Sequence, residues 1–160
     1  MRGLVSRKTF ICWLQRAYII FAIAWVLAFG SGFVRLSFCT GPSMLPTYSE
    51  RNVNLMVRTG SYELTDVIGI DTEYGRVSKR IVACPGDHLC ITNSQIKVNG
   101  EILRQPFVAT MLWNLAGEYD LNITLDEDEY YVLGDNRCYS MDSRHWGPIK
   151  EEQILGEMLF

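Results

Sequence analysis

Val77-Ser78-Lys79-Arg80-Ile81-Val82 sets two cations inside a stretch rich in β-branched residues, and the turn Pro85-Gly86-Asp87 follows closely. Such a run reads as a strand, with successive side chains on opposite faces. Lys79 then shares a face with Val77 and Ile81, and Arg80 points the other way. A lysine on an apolar face loses hydration, which lowers its pKa. A neutral amine can accept the proton of a hydroxyl, so the position suits a general base. The plain alternative is an edge-strand lysine whose ammonium reaches solvent.

Working outward, the same short, strand-like patterning recurs. Val53-Asn54-Leu55-Met56-Val57, Val67–Ile70 and Tyr130–Leu133 are further candidate strands. Gln95–Val98, Asn99-Gly100 and Glu101–Arg104 form a hairpin signal, because Asn-Gly tolerates the positive φ angles of a two-residue turn. The acidic stretch Glu118–Glu129 reads as a solvated loop, and Gly156–Phe160 is left open as a last strand. The expected fold is mostly β, a single domain over residues 35–160. The 48% hydrophobic content supports a packed core and excludes a disordered chain.

The first 35 residues differ from this body. They hold Arg2, Arg7, Lys8, Arg16 and Arg35 and no acid, whereas the remainder holds all 18 acidic residues. The net charge of −3 gives no footprint for nucleic acid. Ala17–Val34 is uncharged, and 18 residues of helix span roughly 27 Å, the thickness of a bilayer core. Trp13, Tyr18 and Phe33 lie near its ends, where aromatic residues favour the interface. The expectation is a cytoplasmic basic segment over 1–16, a transmembrane helix over 17–34 and an extracytoplasmic body, by the positive-inside rule. A signal peptide cut at Ala28-Phe29-Gly30 and a buried core helix are the competing readings.

Two more stretches carry chemistry. Gly41-Pro42-Ser43-Met44-Leu45-Pro46-Thr47 places a hydroxyl between two stiffening prolines. Gly134-Asp135-Asn136-Arg137-Cys138-Tyr139-Ser140-Met141-Asp142-Ser143-Arg144-His145-Trp146-Gly147 is dense in donors and acceptors. Asp142 and Arg144 could pair there, and Ser140 could hold another side chain. A Ser in a Pro-rich loop and an Asx-turn network are the structural alternatives. A Cys138–His145 thiol centre is a rival, although proximity in one loop is no geometric argument. Cys84 and Cys90 flank a turn and are a candidate disulfide. His88, His145 and the scattered cysteines lack zinc-ligand spacing.

Taken together and in this order, the three stretches resemble the type I signal peptidase family, membrane-bound Ser-Lys endopeptidases that remove signal peptides. Gly41–Thr47 matches its serine motif, Lys79-Arg80-Ile81-Val82 with Pro85-Gly86-Asp87 its lysine motif, and Gly134–Arg137, Ser140, Asp142-Ser143-Arg144 and Gly147 its last motif. Val98-Asn99-Gly100 with Gln105-Pro106-Phe107 resembles the stretch between them. The resemblance implies Ser43 as nucleophile and Lys79 as general base. It further implies that Ser140 orients the amine, Asp142 and Arg144 brace the loop, and Arg80 is structural. No metal or cofactor is implied. The Ser43 main-chain N–H would face the oxyanion, while Gly41 cannot supply the hydroxyl that some relatives add there. The implied partners are preproteins with small residues before the cut, and the lipid bilayer. From its residues, Phe107–Trp113 reads as an ordinary strand or loop anchor in the core, with lipid contact as the alternative. The chain is more similar to the short bacterial form than to the mitochondrial one, through Asn136-Arg137 and Trp146-Gly147-Pro148. It departs from the family at Arg51-Asn52 and Leu64-Thr65-Asp66. A membrane-anchored β-domain that binds secreted chains without cutting them is the alternative from another class.

Overall fold

The structure, a computed structural model, describes residues 7–50, 52–92, 95–106, 108 and 120–159. Arg2, Arg51 and, apart from Val108, the stretch Phe107–Trp113 lie outside the described residues. The chain divides into two units, Met1–Arg35 and Leu36–Phe160.

The first unit is built on one helix, α1 (Arg7–Gly30). Its window Phe10–Leu27 has a mean hydropathy of 1.8, and none of it is buried. Phe10, Leu14, Ile20, Phe21 and Val26 are all exposed, and beyond Arg16 the helix carries no charge on any face. A helix buried in a protein core is thereby excluded. The bounds also shift from the expected 17–34. The last turn closes with Ser31 N donating to Leu27 O, and Gly32 at φ +72° ends the helix. Val34 already belongs to a strand.

The second unit contains β1 (Val34–Phe38, entering from the first), β2 (Val53–Val57), β3 (Val67–Thr72), β4 (Gly75–Ala83) and β5 (His88–Ile91). β6 (Ile96–Val98), β7 (Glu101–Ile102), β8 (Leu121–Thr124) and β9 (Glu129–Leu133) follow. The short helix α2 (Ser143–Trp146), β10 (Ile149–Lys150) and β11 (Ile154–Leu159) complete it. Seven strands form one sheet in the order β1-β2-β11-β3-β4-β9-β10, and four form a second in the order β7-β6-β5-β8. The mostly β architecture follows the alternation in the sequence. The β6–β7 turn uses Asn99 and Gly100 at φ +53° and +85°.

The stretch expected as an acidic loop and the end of the chain, left open above, both contribute strands. Glu118–Glu129 is not wholly a loop, because Leu121–Thr124 pairs antiparallel with β5. Leu121 and Ile123 pack on the core while Asn122 and Thr124 face water. The flanking acids hide this alternation. The end of the chain forms β11, which inserts between β2 and β3. There Met56 crosses two glycines paired in register, Gly69 and Gly156. A Cβ on Gly69 would come 2.5 Å from Met56 Sδ.

Three apolar clusters hold these layers together. Ile68, Ile70, Ile81 and Val132 lie in one. Val82 and Leu133 meet Leu89, Ile91 and Ile96 of the smaller sheet in another. The third gathers Met44 and Tyr48 of the proline-bounded loop against Met56, Val67 and Met158. Each such side chain, fully buried, contributes about 1.5–3 kcal/mol. The loop containing Ser43 is therefore fastened to the sheet by its apolar neighbours. The candidate pair Cys84 and Cys90 is unbonded, both cysteines being free thiols. Burial pushes the Cys84 thiol up to about 11.

Candidate active site

β4 delivers Lys79 and Arg80 to opposite faces, as its alternation requires. Lys79 stands opposite Ile68, in the row with Val77 and Ile81, and Arg80 opposite Val67. Lys79 is only 3% exposed, and its Nζ lies 3.0 Å from Ser43 Oγ. Nζ also donates to Ser78 O at 2.9 Å. No carboxylate forms an ion pair with it among the described residues. Burial lowers its pKa, and the more distant negative charge of Asp142 offsets that only in part.

Ser43 reaches this position through a tight turn. Leu45 N donates to Pro42 O at 3.2 Å and Tyr48 N to Met44 O at 2.9 Å. Met44 and Tyr48 are both buried, so the residues that follow Ser43 are anchored while Ser43 itself stays partly open. Burial pushes the Tyr48 phenol up to about 12.

The loop after β9 closes over this turn. Asn136 N donates to Ser43 O at 3.0 Å, and Asn136 Nδ2 donates to Pro42 O at 3.1 Å. Gly134 packs so closely that a Cβ there would lie 2.5 Å from Ser140 Cβ and 2.7 Å from Ser43 O. Asp142 is fully buried and accepts a two-pronged bond from Arg144, Nε at 2.7 Å and Nη2 at 2.9 Å. It also accepts from Gly134 N at 3.0 Å, tying the start of the loop to its end. Arg144 Nη2 reaches Arg137 O as well, at 2.8 Å.

Ser140 is buried, but its hydroxyl makes no hydrogen bond among the described residues. The amine it was expected to orient is held by Ser78 O instead. His145 Nδ1 accepts from Asp142 N at 3.3 Å, so its acceptor nitrogen serves the helix cap of α2. Cys138 is exposed.

Sequence reasoning missed Asp135. It is fully buried and receives Arg80 Nε at 2.8 Å and Nη2 at 2.6 Å, while Thr47 Oγ1 donates to it at 2.5 Å. One carboxylate thus joins β4, the Ser43 loop and the closing loop. An Asp after a Gly resembles a turn residue, and nothing local signals an arginine 55 positions away. The lining of the adjoining cleft was also not readable. It is a cavity of about 170 Å³ bordered by Cys39, Met44, Val77 and Ser78 beside Ser43 and Lys79.

A family profile described as "Signal peptidase, peptidase S26" matches residues 11–160. The chain belongs to that family. It is 33% identical to signal peptidase I V of Bacillus subtilis, over 72% of this chain and 78% of that protein. With signal peptidase IB of Staphylococcus aureus it shares 30% identity, over 96% of this chain and 90% of the relative. The crystal structure of a signal peptidase I from Enterococcus faecalis superposes with a TM-score of 0.53 at 26% identity. That match covers 62% of this chain and 97% of the other. The fold and the apolar N-terminal helix fit a membrane-anchored signal peptidase, a serine endopeptidase.

Proposed function

We propose that this signal peptidase cleaves preproteins with Ser43 as nucleophile and Lys79 as general base. The supporting observation is the 3.0 Å approach of Lys79 Nζ to Ser43 Oγ at a buried amine. Neutral Lys79 takes the Ser43 proton as the oxygen attacks the scissile carbonyl. The resulting ammonium then protonates the leaving amine, giving an acyl-enzyme. Water, deprotonated by the same amine, releases the new carboxylate and regenerates Ser43. Ser140, by a side-chain rotation, orients the amine, while Asp142 and Arg144 brace its loop and Arg80 is structural.

The cleft of about 170 Å³ accommodates a small side chain before the cut. The substrate lies extended along a strand edge. α1 crosses the bilayer with its basic N-terminal side cytoplasmic and the β-rich body on the far side. Leu36, Phe38, Val53, Leu55 and Leu159 are exposed apolar side chains of β1, β2 and β11, a surface that suits lipid contact. A substrate whose own apolar segment is still in the bilayer then meets the cleft at the membrane face.

The test is processing of a preprotein in detergent by the full chain. Ser43→Ala and Lys79→Ala each lower the rate by about 10³-fold or more, with folding retained. Full activity in either folded variant removes the assignment, and binding of preprotein without cleavage by the unsubstituted protein favours the non-cutting alternative.

A further inference from the structure

A serine hydrolase needs a donor aimed at the oxygen that becomes negative. The Ser43 N–H is the available candidate, since it donates to no described residue. What aims it is legible in the bonds around it. The Pro42–Ser43 peptide is trans. In a trans peptide the C=O and the N–H point to opposite sides of one rigid plane. Holding the Pro42 oxygen therefore fixes the direction of the Ser43 N–H. Pro42 has its φ locked by its ring, so one rotation, its ψ, swings that plane.

Two donors hold the Pro42 oxygen. One is Leu45 N, a local turn bond at 3.2 Å. The other is Asn136 Nδ2 at 3.1 Å, from a residue 94 positions later. Asn136 also uses its main-chain N–H on the next carbonyl, Ser43 O, at 3.0 Å. A single residue thus grips both peptide planes that flank Ser43. Gly134 permits this approach, because a Cβ there would collide with Ser43 O.

We infer that Asn136 is a positioning residue: its side-chain amide, by gripping the Pro42 carbonyl, directs the Ser43 main-chain N–H at the oxyanion. The inference rests on the Ser43–Lys79 reading. Asn136 is partly exposed, and Pro42 keeps its bond from Leu45 when the amide is removed. Its loss therefore leaves neither a cavity nor a buried orphan, and the effect falls on the transition state more than on the fold.

The experiment uses the full chain in detergent with a signal-sequence peptide as substrate. Asn136→Ala lowers kcat by about 10-fold, less than the 10²–10³ seen when an oxyanion donor is itself deleted. KM stays within about twofold, the melting temperature does not fall, and the rising limb of the pH profile does not move, since Lys79 is untouched. Asn136→Leu, of similar size and uncharged but lacking the amide donor, shows the same loss and serves if the alanine variant does not fold. A peptide aldehyde, whose adduct with Ser43 carries an oxyanion, loses affinity in parallel with kcat/KM. The matching peptide without the aldehyde binds unchanged. Unchanged kcat in both variants overturns the inference, as does equal weakening of aldehyde and plain peptide. If Ser43→Ala keeps full activity, the dyad reading fails instead. An inactive Ser43→Ala beside a fully active Asn136→Ala removes this inference alone.

Discussion

Lys79 and Arg80 are neighbours on one strand, both cations and both buried, yet their surroundings differ completely. Arg80 meets a carboxylate, Asp135, in a two-pronged ion pair and adds bonds to Thr47 Oγ1 and Thr65 O. Its charge is matched, so it acts as a rivet between β4 and the loops on either side. Among the described residues, Lys79 hydrogen-bonds a hydroxyl and a backbone carbonyl and has no carboxylate in ion-pair contact. Its charge is unmatched, and burial favours the neutral amine. The two faces of β4 treat their cations differently: the guanidinium is given a buried carboxylate, while the amine is buried beside a hydroxyl and a carbonyl.

Applying one substitution to both neighbours tests this most severely. Lys79→Met removes the amine and lowers processing by about 10³-fold or more. Its stability at neutral pH is little changed, because a side chain of similar length fills the same space and no ion pair is lost. Arg80→Met leaves Asp135 buried without its cation and destabilises by about 3–5 kcal/mol. Denaturant titrations of both variants give the comparison, and equal losses of stability would show that the two sites are alike.

Next in size is Gly134→Ala. The added methyl presses on Ser140 and on Ser43 O, and neither can retreat freely, since the first is buried and the second is bonded to Asn136 N. A displacement of Ser43 by a fraction of an ångström lowers kcat by about 10- to 100-fold. The Arg80–Asp135 rivet lies beyond this contact, so stability falls by less than in Arg80→Met. Steady-state kinetics beside a melting curve checks both parts.

The pH dependence is smaller and has a definite sign. The folded Lys79 has its pKa below the ordinary 10.5 of the unfolded chain. Between those two values the unfolded chain binds one more proton, so stability rises with pH across that window and is flat below it. Processing rises through the same lowered pKa, as the neutral amine forms. Lys79→Met loses this rise in stability, whereas Arg80→Met keeps it. A slope that persists in Lys79→Met would place the proton on another group.

The sequence made some of this contrast legible. Period-two alternation placed β2, β4 and β9 to within a few residues, and Asn99-Gly100 placed the hairpin, because these signals are local. Lys79 and Arg80 could be assigned to opposite faces for the same reason. What made the faces differ was not local. Asp135 lies 55 residues from Arg80, and only the assembled sheet brings them together. β11 was obscure because its place between β2 and β3 depends on the hole left by Gly69 and Gly156 for Met56. β8 was masked by its acidic flanks. The helix ended before Val34 because hydropathy does not register the break at Gly32.

The smallest expected effect concerns a thiol on the loop that carries Asp135. Cys138 is exposed, and the ring nitrogen of His145 that could have served it as a base accepts instead from Asp142 N. The thiol rival needs His145 as its base, and that nitrogen is committed to the cap of α2. Cys138→Ala is therefore expected to keep processing within about twofold of the unsubstituted protein, against the ~10³-fold loss in Lys79→Met. Complete loss in Cys138→Ala, measured in the same preprotein assay and with folding intact, would move the chemistry from the unmatched amine of β4 to the 134–147 loop. The contrast between the two faces of β4 would then describe packing alone.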